Sequence, residues 1–398
     1  MKKIKFNTFI PKNEFKKNLF DKNVFNNHIK DIEKNLNLKN SVFFSFSKNF
    51  HLNVNATELN KFKKKYQRIV VIGMGGSILG CEAIYFFLKN KIKKEFIFID
   101  NLDETKINAL RNIKNLKNSL FLIISKSGNT IETLATIEAL KKAHLSKKNT
   151  IIITDNKKSE LSVFARKHKI KIVHHRGYIG GRYSVLSETG IIPAYLMGIN
   201  TNLIRKDILF FLKNSRSELK NNLMQIFKIY SSKKINSLIL LNYCPELNGF
   251  MEWYKQLIAE SLGKKGKGLT PIHSIAPKDH HSLLQLYLDG PKDKFFYIFS
   301  NKMKKTGKNF NKNFSKTLLN SNVDQVKKAQ KEALIKVFKD KNIPFMEIEI
   351  NNIKEDVLGL LFSYFILETV LISKQLNINP YNQPAVEQVK NYTTKLLN

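Results

Sequence analysis

At 398 residues and 42% hydrophobic content, the chain can bury two domain-sized cores, and its composition argues against a disordered or fibrous protein. Its two cysteines, Cys81 and Cys244, lie far apart without metal-ligand company, which argues for a reducing compartment and against a disulfide scaffold or zinc site. The net charge of +36 is carried by lysines spread along the whole chain, which reads as a composition bias rather than a nucleic-acid surface. Its densest basic stretches, 61–65 and 302–316, sit in no helix-turn-helix, RNA-recognition or zinc-finger context and are predicted as solvated faces. Such charge still steers small anions at long range. The basic N-terminus has no apolar core or cleavage site, so no signal peptide is expected. The greasiest run, 357–372, is interrupted by Gly359, Ser363 and Glu368, too short and polar for a membrane span and better suited to a buried helix.

In chain order, residues 1–60 alternate Asn/Lys stretches with short apolar groups and are predicted as a helical N-terminal segment. The first clear strand, 69–72, leads into Gly73-Met-Gly-Gly-Ser77 and a helical run over 78–88. Strands follow at 95–100, 120–124, 150–154 and 170–173, with a helix after Thr130 extending toward residue 148. Strands alternating with helices predict a mostly parallel, doubly wound sheet with right-handed crossovers, here over residues 61–205. A purely helical stretch at 203–223 marks a boundary. Alternation resumes over 206–378: strand 237–241, helix 247–262, strand 294–299, helix 324–339, strand 345–350 and helix 356–374. The last segment, 379–398, ends in a helix starting near Pro384. The expected architecture is therefore α/β, two facing domains of one kind with a cleft between them, although no residue-level repeat is visible.

The stretch richest in chemistry is Ser125-Lys-Ser-Gly-Asn-Thr130, between the buried strand 120–124 and a helix start. Backbone N–H groups and a positive helix end collect anions at such a place. Hydroxyls at Ser125, Ser127 and Thr130, a cation at Lys126 and a flexible Gly128 beside Asn129 suit a phosphate. An ordinary capped turn uses the same residue types. The 73–77 loop, with Asp100 ending the next strand, resembles a dinucleotide fingerprint, but the third glycine of that motif falls on Ile78. Adjacent Gly75 and Gly76 followed by Ser77 better fit a tight sugar contact. Gly180-Gly-Arg182-Tyr-Ser184 projects a guanidinium suited to a developing oxyanion. Gln256 and Glu260 share one helix face, and apolar neighbours suit Glu260 to general-base work; a surface pair with Lys264 is the bland alternative. His280 and His281 offer acid/base chemistry, and no ligand set beside them favours a metal. Gln383 falls at a turn, with Lys390 two turns along the following helix.

Six motifs in order resemble the glucose-6-phosphate isomerase (phosphoglucose isomerase) family: 73–80, 125–130, 180–184, Gln256-Leu-Ile-Ala-Glu-Ser261, His281-Ser-Leu-Leu-Gln285 and Tyr381-Asn-Gln-Pro-Ala-Val-Glu-Gln-Val-Lys390. The resemblance implies two sugar-isomerase (SIS)-type domains and a cytoplasmic homodimer. It also implies metal-free, cofactor-free interconversion of glucose 6-phosphate and fructose 6-phosphate, a step of glycolysis and gluconeogenesis. Carried over by position, Ser125, Lys126 (through its side chain or its backbone), Ser127 and Thr130 would cradle the phosphate. Gly76, Ser77, Gln256 and Gln383 would line the sugar pocket. Glu260 would be the base and Arg182 the holder of enediolate charge. His281, reaching in from a neighbouring subunit, and Lys390 would open the ring. A relative that also takes mannose 6-phosphate and a non-catalytic sugar-phosphate sensor are the alternatives. An intact Glu260 and Lys390 argue against the sensor.

Overall fold

Among the described residues, ten strands form two five-stranded sheets, each flanked by helices, in the computed structural model of the chain. The structure describes residues 2–15, 19–140, 144–302, 309–310, 315–318 and 321–397, so most of the basic stretch 302–316 lies outside the described residues. The strands are β1 (Ile4–Phe9), β2 (Arg68–Gly73), β3 (Glu95–Ile99), β4 (Leu120–Ile124), β5 (Thr150–Asp155), β6 (Lys171–His175), β7 (Ser237–Asn242), β8 (Thr270–Ile275), β9 (Lys294–Asn301) and β10 (Phe345–Ile350).

The first sheet has the order β3-β2-β4-β5-β6 and is parallel throughout. All five residues of β4 are buried, as expected of a central strand covered on both faces. The chain runs outward from β2 to β3 and then crosses back to β4, so the winding reverses between β2 and β4. Gly73 stands opposite Ile124 in that pair. The loops 73–77 and 125–130 therefore leave neighbouring strand ends at the switch point, where open parallel sheets bind ligands. The second sheet repeats this winding as β8-β7-β9-β10.

Two strands were not anticipated. β1 pairs antiparallel with β10, so the chain begins as an edge strand of the second sheet and not as a helix. Its Phe6 stacks on Tyr364, 4.5 Å between ring centroids, and this apolar face fixes it. β8 is an edge strand whose side chains are mostly half-buried or exposed, and Pro271 is tolerated there because only one edge needs pairing. The helix after Thr130 is also shorter than expected: it spans Ile131–Ala139 and is capped at Leu140.

The greasy run becomes the helix Glu355–Gln375. By length and composition it could cross a membrane, but 94% of its apolar window is buried inside the protein. It carries two buried carboxyls, Glu355, which pairs with Lys91 at 2.6 Å in the first turn, and Glu368 in the interior. Tyr254 and Tyr297 hydroxyls donate to Glu368 Oε1 at 2.6 and 3.2 Å, and burial pushes that carboxyl up to about 7. A folded pKa above the unfolded one means the native state holds the extra proton, so stability declines as pH rises through about 4 to 7. Glu368→Gln removes that linkage. Urea unfolding should find the variant more stable than the parent at pH 8 by about 1–3 kcal/mol, with the difference shrinking toward pH 5.

Candidate active site

The helix Asn248–Leu262 buries Phe250, Trp253, Tyr254, Leu257 and Ile258, which leaves Gln256 and Glu260 on a half-exposed face, four residues apart. The Gln256 amide donates to Glu260 Oε1 at 2.9 Å. The other oxygen, Oε2, accepts from Arg182 Nη1 at 3.0 Å. Glu260 is thus bracketed by an amide and a guanidinium rather than by apolar side chains. It makes no pair with Lys264, whose ammonium donates to the Ser261 and Asn379 carbonyls. Burial, then the Arg182 charge, brings the Lys264 pKa down to about 8, with Glu260 opposing.

Arg182 is 3% exposed and holds the site together. It sits in the short helix Gly181–Leu186. Its Nε donates to the Ser261 hydroxyl at 2.9 Å, its Nη1 also to Gln383 Oε1 at 3.0 Å, and its Nη2 to the Pro380 and Asn382 carbonyls. One planar fork therefore joins three distant parts of the chain, something a lysine could not do. The Tyr183 hydroxyl lies 2.8 Å from Ser261 Oγ and donates to Pro380 O at 3.1 Å. Ser261 and Tyr183 were not singled out from the sequence as site residues.

The loop 73–77 packs on this cluster. A Cβ at Gly76 would lie 2.2 Å from the Gly181 carbonyl carbon, so only glycine fits. The Ser184 hydroxyl donates to Gly76 O at 3.3 Å. Gly181 and Arg182 pack against Gly76, and the Gln256 amide against Gly75, so the loop's two glycines serve contacts within the protein. Asp100 meanwhile pairs with Lys106 at 2.8 Å.

In the hydroxyl-rich turn, Ser125 Oγ is 2.9 Å and Ser127 Oγ 3.3 Å from Thr130 Oγ1. Thr130 is the N-cap of Ile131–Ala139, yet its side chain makes no capping bond. The three hydroxyls gather on each other at a helix start instead of serving the helix, which sets this turn apart from a plain cap. Gly128 and Asn129 do other work. Gly128 has φ +68°, and a Cβ there would lie 2.1 Å from Ser159 Oγ. Asn129 Oδ1 accepts from the Glu160 N–H at 2.9 Å. Both residues tie the turn to the next helix, Glu160–Lys167. Burial lowers the Lys126 pKa, and the Lys157 and Arg182 charges add to this, so the turn and the Arg182 cluster lie within electrostatic reach.

His281 and Lys390 stand apart from this cluster. His281 is exposed on the turn Lys278–His281, whereas His280 bonds the Tyr243 hydroxyl at 2.7 Å. Lys390, on the last helix, does not reach the cluster. It lies exposed on Val386–Leu397 and pairs with Glu387 at 2.7 Å, because that helix buries none of its side chains and Gln383 is the last side chain held by Arg182. Among the described residues no group of three or more His, Cys, Asp or Glu could hold a metal ion.

A family model for phosphoglucose isomerase matches residues 47–268, more than half of the chain. The chain belongs to the phosphoglucose isomerase family. It is 34% identical over 352 residues to the glucose-6-phosphate isomerase of Methanocaldococcus jannaschii, covering 85% of this chain and 87% of that protein. It is 33% identical over 353 residues to the Campylobacter jejuni glucose-6-phosphate isomerase, covering 84% and 86%. Among solved structures, a hypothetical protein from Thermus thermophilus matches with a TM-score of 0.81 at 22% identity over 94% of this chain and 95% of that one. The crystal structure of a Chlamydia trachomatis glucose-6-phosphate isomerase matches at 0.73 and 20% identity, over 86% and 72%. These two establish the likeness of fold, and both sheets of this phosphoglucose isomerase family member fit it.

Proposed function

We propose that this chain interconverts glucose 6-phosphate and fructose 6-phosphate as a homodimer in the cytoplasm. The observation that carries the reading is the Arg182 guanidinium, which contacts Glu260 and Gln383 at 3.0 Å each in a cluster packed on the loop 73–77, itself leaving the strand next to the hydroxyl-rich turn. Ser125, Ser127, Thr130 and Lys126 bind the phosphate, and Ser77, Gln256 and Gln383 border the sugar. Phosphate binding, remote from the reacting carbons, supplies the energy that fixes C1 and C2 against Glu260. Glu260 takes the proton from C2 as the C1 carbonyl becomes an enediolate, the hydroxyl proton passes from O2 to O1, and Glu260 returns its proton to C1 as the carbonyl forms at C2. Arg182 stabilises the oxyanion. No electron leaves the substrate, so the chemistry needs no redox partner.

Ring opening falls to His281 of the neighbouring copy and to Lys390 once the Val386–Leu397 helix, which buries none of its side chains in the single chain, docks at the site. An exposed His281 beside the outer strand β8, with Ile272, Ile275 and Leu286 open to solvent nearby, supports a second copy seated there. A coupled assay for fructose 6-phosphate should show turnover that survives a chelator, and its absence would overturn the reading. Co-expressing Glu260→Gln and His281→Ala subunits tests the shared site. Activity should return in mixed dimers, because one site then pairs an intact Glu260 with its neighbour's intact His281. No recovery would place both groups in one subunit.

A further inference from the structure

His175, 2% exposed at the end of β6, has no part in the mechanism above. Its Nδ1 is 3.0 Å from the Arg176 carbonyl oxygen. A carbonyl can only accept, so Nδ1 carries the proton and Nε2 presents a bare lone pair. That Nε2 is buried and has no hydrogen-bond partner among the described residues. A buried acceptor left in this state costs free energy unless it serves something.

Strand pairing places charged residues near it. Ile124, Ile153 and Val173, on β4, β5 and β6, all point into the larger core. Alternation two residues further on brings Asp155 and His175, the last residues of β5 and β6, to that same face, and Lys126 lies two residues past the end of β4. Asp155 stands opposite His175 in the β5–β6 pair, and its N–H donates to Lys126 O at 3.0 Å. The Lys126 ammonium makes no hydrogen bond among those described and is the strongest charge acting on His175, ahead of Asp155 and Arg176. Burial, then Lys126, pushes the His175 pKa down to about 4, so its imidazole stays neutral under working conditions.

We propose that His175 is a positioning residue for the phosphate site: its Nε2 lone pair and the Asp155 carboxylate hold the Lys126 ammonium on the face where the turn 125–130 takes the sugar's phosphate. This rests on reading that turn as the phosphate site. An acceptor within reach of a half-buried ammonium offers Lys126 a partner inside the protein and so competes with its swinging to solvent. A histidine that only filled space would do neither.

Three variants separate these roles. His175→Phe fills the volume without an acceptor, His175→Gln keeps an acceptor near Nε2, and Lys126→Met removes the ammonium itself. Inorganic phosphate, as a competitive inhibitor, is the probe. His175→Phe should raise both KM for fructose 6-phosphate and Ki for inorganic phosphate about 10-fold, with kcat falling less than about threefold, and His175→Gln should recover most of the loss. An unchanged Ki in His175→Phe overturns the proposal. So does equal loss of kcat and thermal midpoint in the Phe and Gln variants, which marks a packing role. If Lys126→Met also leaves Ki unchanged, the phosphate turn itself is misread. If Lys126→Met raises Ki and His175→Phe does not, only the role of His175 falls.

Discussion

Glu260→Gln should lower kcat by about 10³-fold or more while Ki for inorganic phosphate stays within about twofold of the parent. Gln keeps the length and one acceptor of the side chain. Its carbonyl can still take the bond from Arg182 Nη1, and the neighbouring Gln256 can turn its amide. What is lost is the ability to take a proton from carbon and give it back. The side chain is 30% exposed, so folding should be little affected and the thermal midpoint should hold. A sugar-phosphate sensor on this fold would be indifferent to the change. Steady-state kinetics with a phosphate titration separates the two outcomes, and retained turnover would remove Glu260 from the role of base.

Arg182→Lys should be nearly as severe, for two reasons that can be measured apart. The guanidinium is the donor placed where oxyanion charge develops, and loss of such a donor costs about 10²–10³ in kcat. It is also the clasp on the chain's last segment: Gln383 and the Pro380 and Asn382 carbonyls all bond it, and all lie just before Val386–Leu397. A lysine has three donors on a flexible stem and cannot repeat a fork that reaches Ser261, Glu260 and Gln383 at once. Hydrogen exchange over residues 379–397 should therefore quicken in Arg182→Lys and stay at parental rates in Glu260→Gln. Fast exchange in both, or full turnover in Arg182→Lys, would contradict these roles.

Much of this architecture is legible without coordinates, and the reasons for the gaps are physical. β4 announces itself because a strand covered on both faces needs an unbroken apolar run, which Leu120-Phe-Leu-Ile-Ile124 provides. β8 gives no such signal, since an edge strand holding Pro271 with an exposed Ile272 has no run to read. The alternation of Ile4 and Phe6 in β1 is diluted by Lys and Asn, and its partner β10 lies more than 300 residues away. The phase of Gln256 against Glu260 follows from helical spacing, and both land on one face. Gly128 and Asn129 look like ligand groups because loops that bind anions and loops that dock on a helix use the same small polar residues. Only the contact with Ser159 and Glu160 tells them apart. The proposed roles of Asp155 and His175 have no signal in the sequence because pairing between strands, not local spacing, sets Asp155 opposite His175 and the Asp155 N–H on the Lys126 carbonyl. The placement of Lys390 depends on where a whole helix docks, which periodicity does not encode.

Isotope transfer is the most direct test of the proton shuttle assigned to Glu260. Glucose 6-phosphate carrying deuterium at C2 is converted by the enzyme in ordinary water, and the label in the product is followed by NMR. A carboxylate that carries the hydrogen between the two carbons and exchanges with solvent meanwhile predicts a primary isotope effect, with label partly lost to water and partly found at C1. Both signals should vanish in Glu260→Gln. Complete transfer of label to C1 with none reaching water, unchanged in Glu260→Gln, would mean that hydrogen moves directly between the carbons and that no carboxylate shuttle exists.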